Sequence, residues 1–151
     1  MFRTVFAIAA VAAGVAAAAA QSDPIQQRQQ LMKQNGENFD ALNKMVHGQQ
    51  RFDPAKVNSA FNSWEETAQK IPDLFPSPPP RGAKTDALPK IWQNKQDFDA
   101  KADAFAKAVA DNEEQAKTLN GLKAVFPKIS DACGDCHESY RRPPPRSRRR
   151  G

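Results

Sequence analysis

The residues with the clearest chemical capacity are two cysteines and a histidine near the end of the chain, in the run Cys133-Gly134-Asp135-Cys136-His137. Cys-x-x-Cys-His is the attachment pattern of a c-type haem, in which two thiols form thioether bonds to the vinyl groups of one porphyrin. The adjacent His137 can offer its imidazole to the iron. The motif therefore predicts one covalently bound haem c with His137 as an axial ligand.

Three other interpretations of these residues are weaker. A Cys-x-x-Cys dithiol redox site normally lies beside a strand–helix unit, and the sequence has no strand pattern. A zinc site needs four ligands, whereas the chain contains two Cys and two His. A plain disulfide fits an exported protein but gives no reason for a histidine directly after the second cysteine.

The N-terminal segment, residues 1–20, has the features of a secretory signal peptide. Arg3 precedes an apolar run, and residues 16–20 are all alanine before Gln21, which is typical of a signal-peptidase site. A transmembrane anchor is the alternative, but the run is mostly alanine and shorter than the ~20 strongly apolar residues that a span requires. We expect cleavage near Ala20 and export to the periplasm, which suits a haem attached outside the cytoplasm.

The mature chain is long enough for one domain, which we place at residues 21–142. Residues 21–140 hold 15 Lys and Arg against 17 acids, so the net charge of +5 arises from the six arginines that follow from Arg141 onward. We expect residues 143–151, rich in Pro and Arg, to be a disordered tail that either touches an acidic protein or membrane surface or has no role. The body has no basic helix face that would favour nucleic acid.

Apolar residues recur at helical spacing in four stretches. These cover about Pro24–His47, Pro54–Ile71, Leu88–Ala110 and Glu114–Arg141. Asp53 before Pro54 resembles an N-cap followed by proline at the first helical position, and Pro127 predicts a bend in the fourth helix. Four such stripes predict an all-α fold, an antiparallel up-down-up-down four-helix bundle.

This topology predicts which residues approach the haem. The first and fourth helices run antiparallel, so Met32 is brought toward His137 although they are 105 positions apart in sequence. Met45 and His47 lie further along the first helix, about 20 Å from Met32 for Met45 at ~1.5 Å per residue. A thioether opposite histidine raises the potential of haem iron, but Met32 also continues an ordinary apolar stripe. Spacing alone leaves both roles of Met32 open.

Several motifs together resemble the cytochrome c-prime family, also called class II cytochromes c, and most of all its low-spin cytochrome c-556 branch. The resemblance covers nearly all of residues 24–142. Its motifs are Arg28-Gln29-x-x-Met32-Lys33, Leu31-Met32-Lys33-x-Asn35-Gly36, Pro89-x-Ile91-Trp92, Leu122-Lys123-Ala124, a proline in the fourth helix and Cys133-x-x-Cys136-His137.

The family resemblance implies a role for Met32. In the low-spin relatives the corresponding methionine is the sixth iron ligand. High-spin relatives often have an aliphatic residue there, leave the iron open and bind nitric oxide or carbon monoxide. The resemblance therefore implies His137 and Met32 as the axial ligands, and a dissociable homodimer through the first two helices is typical of the family.

Three further side chains are candidate haem contacts. Arg28 lies one turn before Met32 and Arg141 one turn after His137, where each could face the haem propionates or be a solvated charge at a helix end. Trp92 borders the long proline-rich connection, which the topology places at the haem end, and could cover the porphyrin or belong to the ordinary core. Tyr140 is expected in the core with its hydroxyl reaching outward.

Three classes of function follow from these residues. The favoured one is a periplasmic one-electron carrier that exchanges electrons with redox partner proteins and performs no substrate chemistry of its own. The second is a gas-binding protein, which requires Met32 to be absent from the iron or readily displaced. The third is an exported helical bundle with a simple disulfide and no haem.

Overall fold

A computed structural model of the chain describes residues 23–77 and 84–143. These residues form helices and connections, and their β-structure is limited to an isolated antiparallel bridge between Ala87 and Arg141. The helices are α1 Pro24–Val46, α2 Pro54–Lys70, the single-turn α3 Lys90–Gln93, α4 Lys95–Ala116 and α5 Leu119–Tyr140, with a 3-10 turn Ile71–Leu74 after α2. The predicted signal peptide and the basic tail beyond Pro143 lie outside the described residues.

The long helices α1, α2, α4 and α5 form the antiparallel four-helix bundle that the sequence predicts. Each packs against the next along the chain, and α5 closes the ring by contacting α1. The pair α4 and α5 is packed most closely, whereas α1 and α5 are the least closely packed of the four neighbouring pairs. The bundle is therefore most open along the α1–α5 seam.

The first two helices both begin at an Asp-Pro pair. Asp23 caps α1 by accepting a hydrogen bond from the N–H of Ile25 at 3.0 Å, and Asp53 caps α2 by accepting two from backbone N–H groups at 3.0 and 3.2 Å. These bonds satisfy donors that a helix start leaves without an intrahelical partner. The two capped helices start at Pro24 and Pro54, which confirms the starts that the sequence predicted.

The third and fourth helices have other bounds than the sequence predicted. The third is broken at Asn94, whose non-helical backbone separates α3 from α4, and α4 then continues past its expected end. The fourth begins after Thr118, whose hydroxyl accepts a hydrogen bond from the N–H of Gly121 at 3.1 Å, and not at Glu114, which belongs to α4. Pro127 lies inside α5 without ending it.

The core is formed by side chains from all four long helices. Phe39 of α1 and Phe126 of α5 close the seam partway along, with ring centroids 4.6 Å apart. The largest fully buried side chains of the core are Trp64, Phe61, Phe98, Leu42, Met45, Ile91, Leu122, Ile129 and Val125. No helix among the described residues is long and apolar enough to cross a bilayer.

Candidate haem site

A cavity of about 630 Å³ is lined by both helices of the α1–α5 seam. Cofactor sites typically measure about 300–1,000 Å³ and are mostly apolar. The described walls come from α1, α2, α4, α5, the short α3 and the connection after α2. Their apolar and aromatic part includes Phe39, Trp64, Ile71, Phe75, Ile91, Phe98, Ala102 and Phe105.

The three motif residues lie on the α5 wall of this cavity. Positions three and four apart share one face of an α-helix, so the Cys-x-x-Cys-His spacing places Cys133, Cys136 and His137 together. All three line the cavity and are partly buried, whereas Asp135 between the cysteines is exposed. Both thiols are free, so the structure contains no disulfide between them.

Burial determines the protonation of these groups. Removal from water raises the pKa of the Cys133 thiol to about 11, and the neighbouring Cys136 adds to this rise. Burial also raises the pKa of Cys136, against an opposing effect of the Lys101 charge. The pKa of His137 is lowered by burial and by the positive charge of Arg141. The imidazole is therefore neutral at neutral pH and has a nitrogen lone pair to donate.

Met32 lines the same cavity from α1, the neighbour of the motif helix across the seam. The other residues considered as iron ligands lie elsewhere. Met45 is 1% exposed in the core, and His47 is exposed after the end of α1, with a ring nitrogen 2.9 Å from the carbonyl oxygen of Asn43. The cavity therefore brings Met32 together with His137 and leaves out the other methionine and histidine.

The residues present fit a haem c. A porphyrin held by two thioethers needs two thiols on one wall, an imidazole directly beside them and a broad apolar surface for the macrocycle. The α5 wall supplies the thiols and the imidazole, and the aromatic side chains of the other walls supply the surface. The partly buried Met32 adds a soft sulfur donor on the facing helix.

Arg28 lines the cavity, and its guanidinium is already hydrogen-bonded within the chain. It is 5% exposed, donates to the carbonyl oxygen of Leu74 at 3.0 Å and to the Thr85 hydroxyl at 2.7 Å, and lies 4.7 Å from the centre of the Phe75 ring. Burial lowers its pKa, and the Asp23 carboxylate opposes the change. Its contact with a haem propionate remains a prediction.

Arg141 and Trp92 occupy different positions. Arg141 is exposed and lines the cavity at the end of α5. Trp92 is not part of the cavity wall, because its indole N–H donates to the carbonyl oxygen of Pro76 at 2.9 Å and its ring packs 6.3 Å from Phe75. Trp92 therefore packs behind Phe75, which lines the cavity. The adjacent Ile91 lines the cavity as well, whereas Trp92 does not.

Several cavity residues were not identified from the sequence. Asn35 lies three positions after Met32, so a search at helical spacing around Met32 would have found it. Lys101 lies beside the apolar stripe of α4. Thr85 and Asp86 belong to the connection before α3, which has no periodicity from which a facing side can be predicted. All four line the cavity.

Comparison with known proteins identifies the family of this chain. The sequence model described as Cytochrome C' matches residues 23–141. The chain is 37% identical over 145 residues to cytochrome c-556 of Rhodopseudomonas palustris, covering 93% of this chain and 97% of that protein. It is 36% identical over 134 residues to cytochrome c' of the same organism, covering 87% and 90%.

Solved structures give the same result. The NMR-validated structural model for oxidised R. palustris cytochrome c556 has a TM-score of 0.73 and 36% identity, and the match covers 83% of this chain and 100% of that chain. A mutant of R. palustris cytochrome c' has a TM-score of 0.76 and 31% identity, covering 81% and 99%.

A four-helix bundle whose Cys-x-x-Cys-His motif faces an apolar cavity defines a c-type haem protein. The chain belongs to the cytochrome c' family. Its cofactor is one covalently attached haem c, as the motif predicted, and its homologues are electron-transfer or haem-binding cytochromes and not typical enzymes.

Proposed function

We propose that the protein is a periplasmic one-electron carrier in which Cys133 and Cys136 hold the haem and His137 and Met32 are the axial iron ligands. The observation that carries this proposal is the position of Met32, which lines the same cavity as the three motif residues but belongs to the neighbouring helix α1. The bound haem supplies a ferrous–ferric couple. The protein's own residues fix the ring, provide both axial donors and limit access.

The individual residues suit these roles. Attachment at two positions of one α5 face fixes the orientation of the ring relative to that helix. His137 is kept neutral by burial, which keeps its nitrogen available as a donor. Pairing histidine with a thioether raises the reduction potential into a range useful for electron transfer. With both axial positions occupied by side chains, no position is left for a substrate.

The apolar wall favours the same function. A ferric centre carries one more positive charge than a ferrous one, and removing charge from water is costly. Aromatic side chains around the cavity therefore favour the ferrous state and raise the potential.

The proposal includes location and partners. Export with cleavage near Ala20 would place the protein in the periplasm, where it would exchange electrons with redox partner proteins. The basic tail could contact an acidic protein or membrane surface, and a homodimer would follow the family pattern. These parts rest on the sequence.

Absorption spectra test the proposal. We expect protein matured in a strain competent for cytochrome c assembly to show sharp low-spin bands, oxidised and reduced, that carbon monoxide leaves unchanged. A broad high-spin spectrum that shifts with carbon monoxide would contradict axial ligation by Met32. The double variant Cys133→Ser, Cys136→Ser is the control, and we expect it to lack covalently bound haem.

Gas binding is the second candidate function. It is favoured by the near equality of the two R. palustris relatives, since identity is 37% to cytochrome c-556 and 36% to cytochrome c'. It requires Met32 to leave the iron or to be readily displaced. The carbon monoxide experiment distinguishes the two functions directly.

A further inference from the structure

We propose that Thr85 is a positioning residue that joins α1 to the end of α5 beside the haem cavity and thereby keeps Met32 in reach of the iron. Residues 85–88 with their hydrogen bonds to the two helices are here called the Thr85 bracket. Its effect at the iron rests on the proposed ligation by Met32. The bracket itself consists of contacts within the chain and does not depend on that ligation.

The hydroxyl of Thr85 accepts two hydrogen bonds. One comes from the Arg28 guanidinium of α1 at 2.7 Å, and the other from the backbone N–H of Ala87 at 3.1 Å. A hydroxyl oxygen has two acceptor lone pairs, so both are used. The bond from Arg28 has a charged donor, which makes it one of the stronger types. Thr85 thus links α1 to the connection before α3.

The other side of the bracket is tied to α5. The N–H of Leu88 donates to the carbonyl oxygen of Tyr140 at 2.9 Å, and the N–H of Arg142 donates to the carbonyl oxygen of Asp86 at 2.7 Å. These two bonds flank Ala87 and form the isolated bridge at the end of α5. A continuous hydrogen-bonded path therefore runs from α1 through Thr85 to α5.

The bracket joins two neighbouring helices that are loosely packed against each other. The α1–α5 pair is the least closely packed in the ring, and the cavity is lined by both helices. Arg28 and Met32 are four positions apart on α1 and share a helix face. Holding Arg28 therefore restrains the turn of α1 that carries Met32. Loosening the bracket would let this turn move away from His137 and admit small molecules to the iron.

A pair of substitutions isolates the hydroxyl of Thr85. Thr85→Val keeps the branched shape but removes the acceptor, whereas Thr85→Ser keeps the acceptor and is the matched control. We expect Thr85→Val alone to increase amide exchange at Leu88 and Arg142 about tenfold, because the bracket loses a bond to a charged donor. We also expect carbon monoxide to bind the ferrous Thr85→Val protein, whereas it leaves the wild type and Thr85→Ser unchanged, and we expect a smaller low-spin fraction in Thr85→Val.

The outcomes separate the bracket from the proposed function. Equal amide exchange and equal carbon monoxide association in both variants would overturn the bracket. Faster amide exchange in Thr85→Val with no change in carbon monoxide association would show that the bracket does not hold Met32 in place. That result would also overturn the inference. A wild-type protein that is already high-spin would refute Met32 ligation, while the association rates of the two variants would still decide whether Thr85 controls access. Thr85→Ala supplies a second test if the valine variant does not fold.

Discussion

Tyr140 fixes the last turn of α5 close to the haem motif. It is 3% exposed, and its hydroxyl donates to the Oδ2 atom of Asp97 at 2.5 Å. Its ring meets that of Phe98 edge-on, with centroids 5.3 Å apart. These contacts hold the end of α5 against the start of α4, three positions after His137. They confirm the expected burial of Tyr140.

The ionisation of Tyr140 gives a prediction for a single residue. Burial first, and then the hydrogen bond and negative charge of Asp97, raise its pKa to about 12, above the usual value of about 10. The folded state therefore prefers the neutral phenol. Its contribution to stability is complete below about pH 10 and is lost as pH rises toward 12.

Ultraviolet titration can measure this pKa without assignment, because Tyr140 is the only tyrosine in the chain. We expect ionisation near pH 12 in the folded protein. Asp97→Asn should lower the pKa while leaving it above the usual value, since burial persists. A midpoint near pH 10 in folded wild type would show that the phenol is neither buried nor paired as described.

Sequence reasoning found the cavity residues whose positions follow from helical spacing. The three motif residues and Met32 lie on helix faces, so spacing predicts which of them meet. Thr85 is positioned by hydrogen bonds within an irregular connection, and no spacing rule applies there. Trp92 was the predicted haem contact, but the adjacent Ile91 lines the cavity. Ile91 lies seven positions before Phe98, so helical spacing was enough to place it on the same face.

The first turn of α5 requires glycine at position 121. A Cβ at Gly121 would lie 1.7 Å from the carbonyl oxygen of Gln115, and this oxygen is part of the backbone and cannot rotate away. The N–H of Gly121 also donates to Thr118, the cap of α5. The close approach of backbone therefore permits α5 to start immediately after α4.

We expect Gly121→Ala to lower the free energy of unfolding by about 1–3 kcal/mol, the usual cost of forcing extra atoms into a packed site. Gly134→Ala is the control, because a Cβ there would meet nothing within 4 Å in α5 and Gly134 does not line the cavity. It should raise the free energy of unfolding by about 0.5–1 kcal/mol through helix propensity. Denaturant unfolding of both haem-loaded variants measures the difference, and equal effects would refute the close approach.

The helix bounds show where local signals suffice. Asp53 before Pro54 predicted a helix start that the structure contains, and Asp23 caps α1 in the same way although it was not identified from the sequence. The start of α5 was expected too early because the apolar stripe alone does not mark Thr118 as the cap. The backbone of Asn94 is not helical and separates α3 from α4. The residue type alone does not predict this break.

At the scale of the whole molecule, the order of the helices creates the site. An antiparallel ring brings the start of α1 beside the end of α5, so residues 105 positions apart can share one cavity. The sequence predicted this juxtaposition from four stripes and short links. It did not predict that the same seam would be the least closely packed, because packing density depends on side chains from all four helices.

The most direct test of Met32 ligation is a proton NMR spectrum of the reduced protein. A methyl group held over a low-spin ferrous porphyrin is shielded by the ring current, so its signal moves upfield of the normal protein range. We predict one such three-proton signal, lost in Met32→Leu and retained in Met45→Leu, whose side chain is in the core. The absence of this signal, or its survival in Met32→Leu, would contradict the account of the protein as an electron carrier with His137 and Met32 on the iron.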